Sequence, residues 1–171
     1  MEIWPNFFII GAMRAGTTSL YEYLKQIPEI YMSPVKELNY FSVNVNPTIL
    51  FSKPIKTKNE YLQLFKNVKN ESVIGEASPS YLWDPMAAEL IHKEIPNAKI
   101  IIILRNPISR SFSHYLLLKS KGEDNLLSFR EEMQKGSENK NSDFSARIFE
   151  AGLYSKQVEK YLQKFGSEHV K

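Results

Sequence analysis

The chain has 171 residues, 43% of them hydrophobic and 24% charged, with a formal net charge of +3. That supports one domain, spanning 1–171, with a real core, and the composition is ordinary for a globular protein. The absence of cysteine excludes disulfides and thiolate chemistry, the small net charge gives no case for nucleic acid, and His92, His114 and His169 lack metal-ligand spacing.

The first element is the continuous apolar run Phe7–Ile10. It reads as a strand covered by helices on both faces. It is too short to span a membrane and lacks the flanks of a signal peptide, so no membrane segment and a cytoplasmic location are expected. The loop Gly11-Ala12-Met13-Arg14-Ala15-Gly16-Thr17-Thr18 follows. Its glycine spacing is that of a nucleotide P-loop, but threonine stands at position 17, where lysine would reach a terminal phosphate. A cation, Arg14, lies inside the loop instead. The residues alone leave two readings open, a plain glycine turn and an anion cradle at a helix N-terminus.

Thr17–Gln26 reads as a helix, with Leu20, Tyr21 and Leu24 at helical spacing. Ile30–Met32 is a weak strand signal, and Asn44–Pro54 reads as a loop. Lys58–Val68 is a second helix and Ser72–Gly75 a short strand. Asp84-Pro85 opens a third helix, running to about Ile95. Ile100–Leu104 is the strongest later strand. Pro107–Ser120 is a helix placing Ser113 eight residues after Arg105, so that the two can converge on an anion. Leu126–Lys135 and Tyr154–Phe165 complete the helices, and residues 136–145 read as a polar loop. Such alternation gives a parallel α/β sheet with ligands at the carboxyl ends of its strands, near Gly11, Glu76 and Arg105.

Taken in order, the motifs resemble those of sulfotransferases that use 3′-phosphoadenosine 5′-phosphosulfate (PAPS), in the branch of the heparan sulfate N- and 3-O-sulfotransferases. Gly11–Leu20 is similar to the 5′-phosphosulfate loop. Lys36-Glu37-Leu38-Asn39-Tyr40-Phe41 is similar to the segment with the catalytic glutamate. Gly75-Glu76-Ala77-Ser78-Pro79-Ser80-Tyr81 resembles a strand-end motif of the family, and Leu104–Tyr115 resembles its 3′-phosphate motif. Gly152-Leu153-Tyr154, with Tyr161-Leu162, resembles a later helix.

The resemblance implies a P-loop NTPase-like three-layer fold with a central parallel sheet. It implies PAPS as donor and no metal. Glu37 and Arg14 would be catalytic, and Arg14, Ala15, Gly16, Thr17, Thr18, Arg105 and Ser113 would bind the donor. The implied acceptor is a hydroxyl or amine, on a glycan or another small compound. Arg14 and Ala77 stand where heparan-type relatives carry lysine. Relatives continue with a further core strand and a basic loop. The resemblance therefore implies a missing C-terminal part, an open sheet edge and self-association. His114 is expected to be packed, and Lys119 and Lys121 to be solvated. Two rival readings are a P-loop kinase, with Glu76 as its metal-holding acid, and a non-catalytic nucleotide-binding fragment.

Overall fold

Four parallel strands form the frame in the computed structural model, which describes residues 2–42, 52–122, 126–138 and 148–171. They are β1 (Phe7–Gly11), β2 (Ile30–Met32), β3 (Val73–Ala77) and β4 (Lys99–Ile102), in the spatial order β2-β3-β1-β4. Phe8 of β1 lies opposite Glu76 of β3 on one side and Ile100 of β4 on the other. Beyond β2 the chain stays on β3, because Ser33 N–H donates to the Gly75 carbonyl and Glu37 N–H to that of Ala77 (both 2.8 Å). On the other flank Val170 bridges Ile100 in parallel. Pairing thus continues outside β4, where the residue pattern gave no strand.

The continuous apolar run of β1 has the two-sided burial it predicts. Phe7 and Ile9 pack with Tyr21 of α1 (Thr17–Leu24) and with Met32. Phe8 and Ile10 face the larger core on the opposite side. That core is built from Tyr61 of α2 (Lys58–Gln63), Ile91 of α3 (Ala87–Glu94), and Tyr161 and Phe165 of the helix Tyr154–Phe165. A smaller cluster joins α4 (Pro107–Ser120), through Tyr115 and Leu118, to Phe129 of α5 (Phe129–Glu138) and to Ile148. The helix Tyr154–Phe165 is α6. The result is three layers: helix, parallel sheet, helices.

Caps explain which helix bounds the residue pattern located. Asn106 accepts from Ile108 and Ser109 N–H (both 3.1 Å) directly before Pro107, so α4 begins and ends where expected. The helix α5 starts three residues later than its apolar pattern suggests. Ser128 and Glu131 cap it, with Glu131 Oε2 accepting from Ser128 N–H at 2.9 Å. Asp84 also caps, accepting from Met86 and Ala87 N–H (2.7 and 3.0 Å), although regular helix begins only at Ala87. The second helix is shorter than expected, because bonds such as Phe65 N–H to Leu62 O (3.0 Å) tighten the chain after Gln63. Of the two expected loops, residues 43–51 and 139–147 lie outside the described residues, and residues 136–138 finish α5.

Gly11 ends β1 where the chain passes against Leu82. A Cβ there would lie 2.6 Å from Leu82 Cβ, a stiff part of a buried side chain. Gly11→Ala is therefore expected to cost about 1–3 kcal/mol through overpacking. Urea unfolding would show it as a lower midpoint at an unchanged slope.

Candidate active site

The carboxyl ends of the strands open on a cleft of about 430 Å³. Its floor is the loop after β1, represented by Met13, Arg14, Gly16, Thr17 and Thr18. Gly16 takes φ 103°, a left-handed conformation that favours glycine, and turns the chain into α1. No side chain caps α1, and its first turn contains no acid. The opening amides of that helix, which have no intrahelical acceptors, are therefore left for a ligand. By contrast, a Thr57/Glu60 capping box closes α2 and Asn106 closes α4.

The segment after β4 forms the second wall. Arg105 Nη1 donates to the Arg14 carbonyl at 3.2 Å, and Arg14 Nε donates to Ser113 Oγ at 3.1 Å. Arg14, Arg105 and Ser113, chosen from separate sequence segments, are thus joined in one hydrogen-bonded group. Arg14 is held in this pose with φ 66°. Arg105 lies three residues beyond the end of β4, which stops at Ile102.

Lys36 and Glu37 form the third wall, with Nζ–Oε1 at 2.7 Å and both side chains only partly exposed. Glu37 also has a left-handed backbone, φ 63°. Lys121 completes the ring of charge. It is exposed, as expected, and that exposed side chain also lines the cleft. Four cations, Arg14, Lys36, Arg105 and Lys121, and one carboxylate, Glu37, therefore line the cleft. Sequence reasoning missed Lys36 and Lys121 as cleft residues; the proximity of Lys36 to Glu37 was the available signal for the first. Ala15, expected beside the donor, sits at the base of the loop, where its N–H donates to Ala12 O at 3.2 Å. It is not among the cleft-lining residues.

Magnitudes rank these contributions. A helix terminus contributes about 0.3–1 kcal/mol to binding a nearby charge. A hydrogen bond to a charged group contributes about 1.5–3 kcal/mol. For an anion placed in this cleft the arginines would therefore dominate affinity, and the open amides would set where its oxygens sit.

Glu76 does not join the cleft. It is fully buried in β3, and neither carboxyl oxygen meets hydrogen-bond geometry. Burial pushes its pKa up to about 8, partly offset by the facing hydroxyls of Tyr81, Tyr61 and Ser78. That placement removes it as the acid a P-loop kinase would use at this cleft. His114 is buried beside Arg110, with Arg110 Nη1 and His114 Nδ1 3.4 Å apart, as a packed residue should be. Burial and the neighbouring guanidinium lower its pKa to about 3. Among the described residues there is no group of three or more acidic, histidine or cysteine side chains able to hold a metal. No described helix is long and apolar enough to cross a membrane.

This fold is that of a sulfotransferase. The chain belongs to the sulfotransferase family, whose model, Sulfotransferase domain, matches residues 5–171. A crystal structure of a sulfotransferase from Alicyclobacillus acidocaldarius superposes with a TM-score of 0.87 at 39% identity, covering 99% of this chain and 72% of that one. The membrane-associated sulfotransferase kil1 of Dictyostelium discoideum is 35% identical over 111 residues, 65% of this chain and 22% of its own length. Heparan sulfate glucosamine 3-O-sulfotransferase 6 of Homo sapiens is 27% identical over 168 residues, 97% of this chain and 45% of its own length. The chain thus spans less than half the length of these two curated relatives.

The buried acid has a measurable consequence. In the fold Glu76 keeps its proton to about pH 8, against an ordinary value of 4.5. Between those values the folded state binds more protons, so this residue's contribution to stability falls as pH rises through the window. Urea unfolding across pH 4.5–8 should show wild type losing stability relative to Glu76→Gln. Parallel pH dependences would show that Glu76 titrates normally in the fold.

Proposed function

We propose that this domain transfers the sulfuryl group of PAPS to a hydroxyl or amine, on a carbohydrate, by in-line displacement. The observation that carries the reading is the Arg105–Arg14–Ser113 group beside the uncapped start of α1. It offers two adjoining anion sites, as a donor with a 5′-phosphosulfate and a 3′-phosphate requires. The amides of α1, Thr17, Thr18 and Arg14 suit the first, and Arg105 and Ser113 the second. The excess of cations over carboxylate suits a polyanionic donor. Thr17 in place of the P-loop lysine, together with the burial of Glu76, disfavours ATP–magnesium chemistry. The carbohydrate acceptor is supported by the relative named for heparan sulfate glucosamine.

The donor supplies an electrophilic sulfur and a phosphate leaving group. Glu37 carboxylate takes the proton from the acceptor O–H or N–H. The bond from that oxygen or nitrogen to sulfur forms as the bond from sulfur to the bridging phosphate oxygen breaks. The electron pair goes to the phosphate, where Arg14 and the α1 amides hold the developing charge. Lys36, bonded to Glu37 at 2.7 Å, orients the carboxylate toward the cleft. Arginine at position 14 supplies fixed charge rather than a proton.

Calorimetry with 3′-phosphoadenosine 5′-phosphate should give tighter binding than ATP–magnesium. Arg105→Ala should weaken it by about 1.5–3 kcal/mol. Equal affinity for the two nucleotides would overturn the donor assignment. Glu37→Gln should lower sulfate transfer to heparan-type acceptors by about 10²–10⁴-fold with donor affinity nearly unchanged. Collapse of donor binding with turnover intact at saturation would instead make Glu37 a donor-binding residue.

A further inference from the structure

Glu37 is held in an unfavourable backbone conformation, and the residues that hold it are not the ones that line the cleft. Its φ of 63° is in the left-handed region, where a non-glycine residue is strained and persists only if its surroundings fix it. Its N–H is fixed by the end of β3, through Ala77 O at 2.8 Å. Its carbonyl receives two donors, Asn39 Nδ2 at 2.9 Å and Ser52 Oγ at 2.5 Å. Asn39 Nδ2 also donates to Ser52 Oγ at 2.8 Å, closing a triangle on that carbonyl.

Asn39 itself is only 2% exposed and has φ 52°, a conformation asparagine tolerates better than most residues. Its carbonyl accepts from Ser42 N–H at 3.1 Å, and its N–H and Oδ1 go to the loop after β3. Its N–H donates to Ser78 Oγ at 3.2 Å, and its Oδ1 accepts from Ser80 Oγ at 2.5 Å. The Ser80 oxygen lies 3.1 Å from Ser42 Oγ. Every polar group on the Asn39 side chain is thus engaged in linking the Glu37 turn to the strand end. A buried amide with no spare donor or acceptor side is costly to replace and geometrically restrictive.

We propose that Asn39 is a positioning residue for the reaction: its carboxamide locks the left-handed turn that aims Glu37 into the cleft, without touching donor or acceptor. The inference rests on Glu37 being the base. Asn39→Gly keeps the backbone freedom that φ 52° needs and deletes the amide. Asn39→Asp keeps the acceptor facing Ser80 and deletes the donor facing Glu37.

The test pairs these variants with Glu37→Gln, measuring sulfate transfer from PAPS, affinity for 3′-phosphoadenosine 5′-phosphate, and amide hydrogen exchange by NMR. Asn39→Gly should lower kcat at least about tenfold, with donor affinity within twofold, and should cost nothing further when Glu37 is already Gln. The Glu37 amide should exchange at least about tenfold faster in Asn39→Gly and Asn39→Asp, while the amides of Phe8 and Ile9 stay protected. Equal loss of kcat in both Glu37 backgrounds, or an unchanged Glu37 exchange rate, would overturn the positioning role. Full activity of Glu37→Gln would instead overturn the base assignment, leaving the exchange result to decide whether Asn39 holds the turn.

Discussion

The contact between Arg14 and the segment after β4 is the interaction on which the cleft depends. Arg14 belongs to the first loop, yet its carbonyl accepts from Arg105 and its guanidinium donates to Ser113 on α4. Without that junction the sheet would present an anion cradle and a separate basic helix. With it, the Arg14 side chain ties the loop after β1 to α4, and the spacing between these two walls is set by backbone already fixed in the sheet. The cations at this junction are largely exposed, so they keep their charge without a large desolvation cost and remain available to a ligand.

The opposite wall follows a different rule. Around Glu37 the polar groups are buried and mutually satisfied, from Asn39 to Ser80 and Ser42. Exposed cations collect on the wall made by Arg14 and Arg105, whereas behind the Lys36–Glu37 pair the turn is held by neutral hydrogen bonds. The two are braced from below by the larger core, where Tyr161 OH donates to the Tyr81 carbonyl at 2.8 Å and Phe41 N–H to Tyr81 OH at 3.3 Å. The helix Tyr154–Phe165 thereby supports the segment after β3 without entering the cleft.

Much of this was legible because it is local. The run Phe7–Ile10 declared its two-sided burial, and Asn106-Pro107 located α4, since a cap and a fixed φ act on adjacent residues. Local signals also misled. The apolar pattern placed α5 early, and the Ser128–Glu131 cap overrode it. The Arg14–Ser113 bond joins residues 99 positions apart, so no spacing rule reveals it; only the ordered family motifs brought both residues forward together. Glu76 was expected near the site from its place at a strand end. The pleat decides otherwise, turning its side chain into the core beneath Tyr61 and Tyr81. Asn39 gave no signal, because its importance lies in a backbone angle and in partners that arrive from Ser52 and Ser80.

The central place of β1 has a consequence for the order of events during synthesis. Its partners are β3 and β4, which begin at Val73 and Lys99. Phe7–Ile10 therefore leaves the ribosome long before either neighbour exists to cover it. Pairings of such high sequence separation form late and slowly, because a long stretch of chain must first be closed into a loop. During that interval an apolar, uncharged β-forming segment is exposed, the kind most prone to pair with the wrong chain. The strand that centres the finished sheet is thus also a segment that stays uncovered on its β3 and β4 sides until those strands emerge.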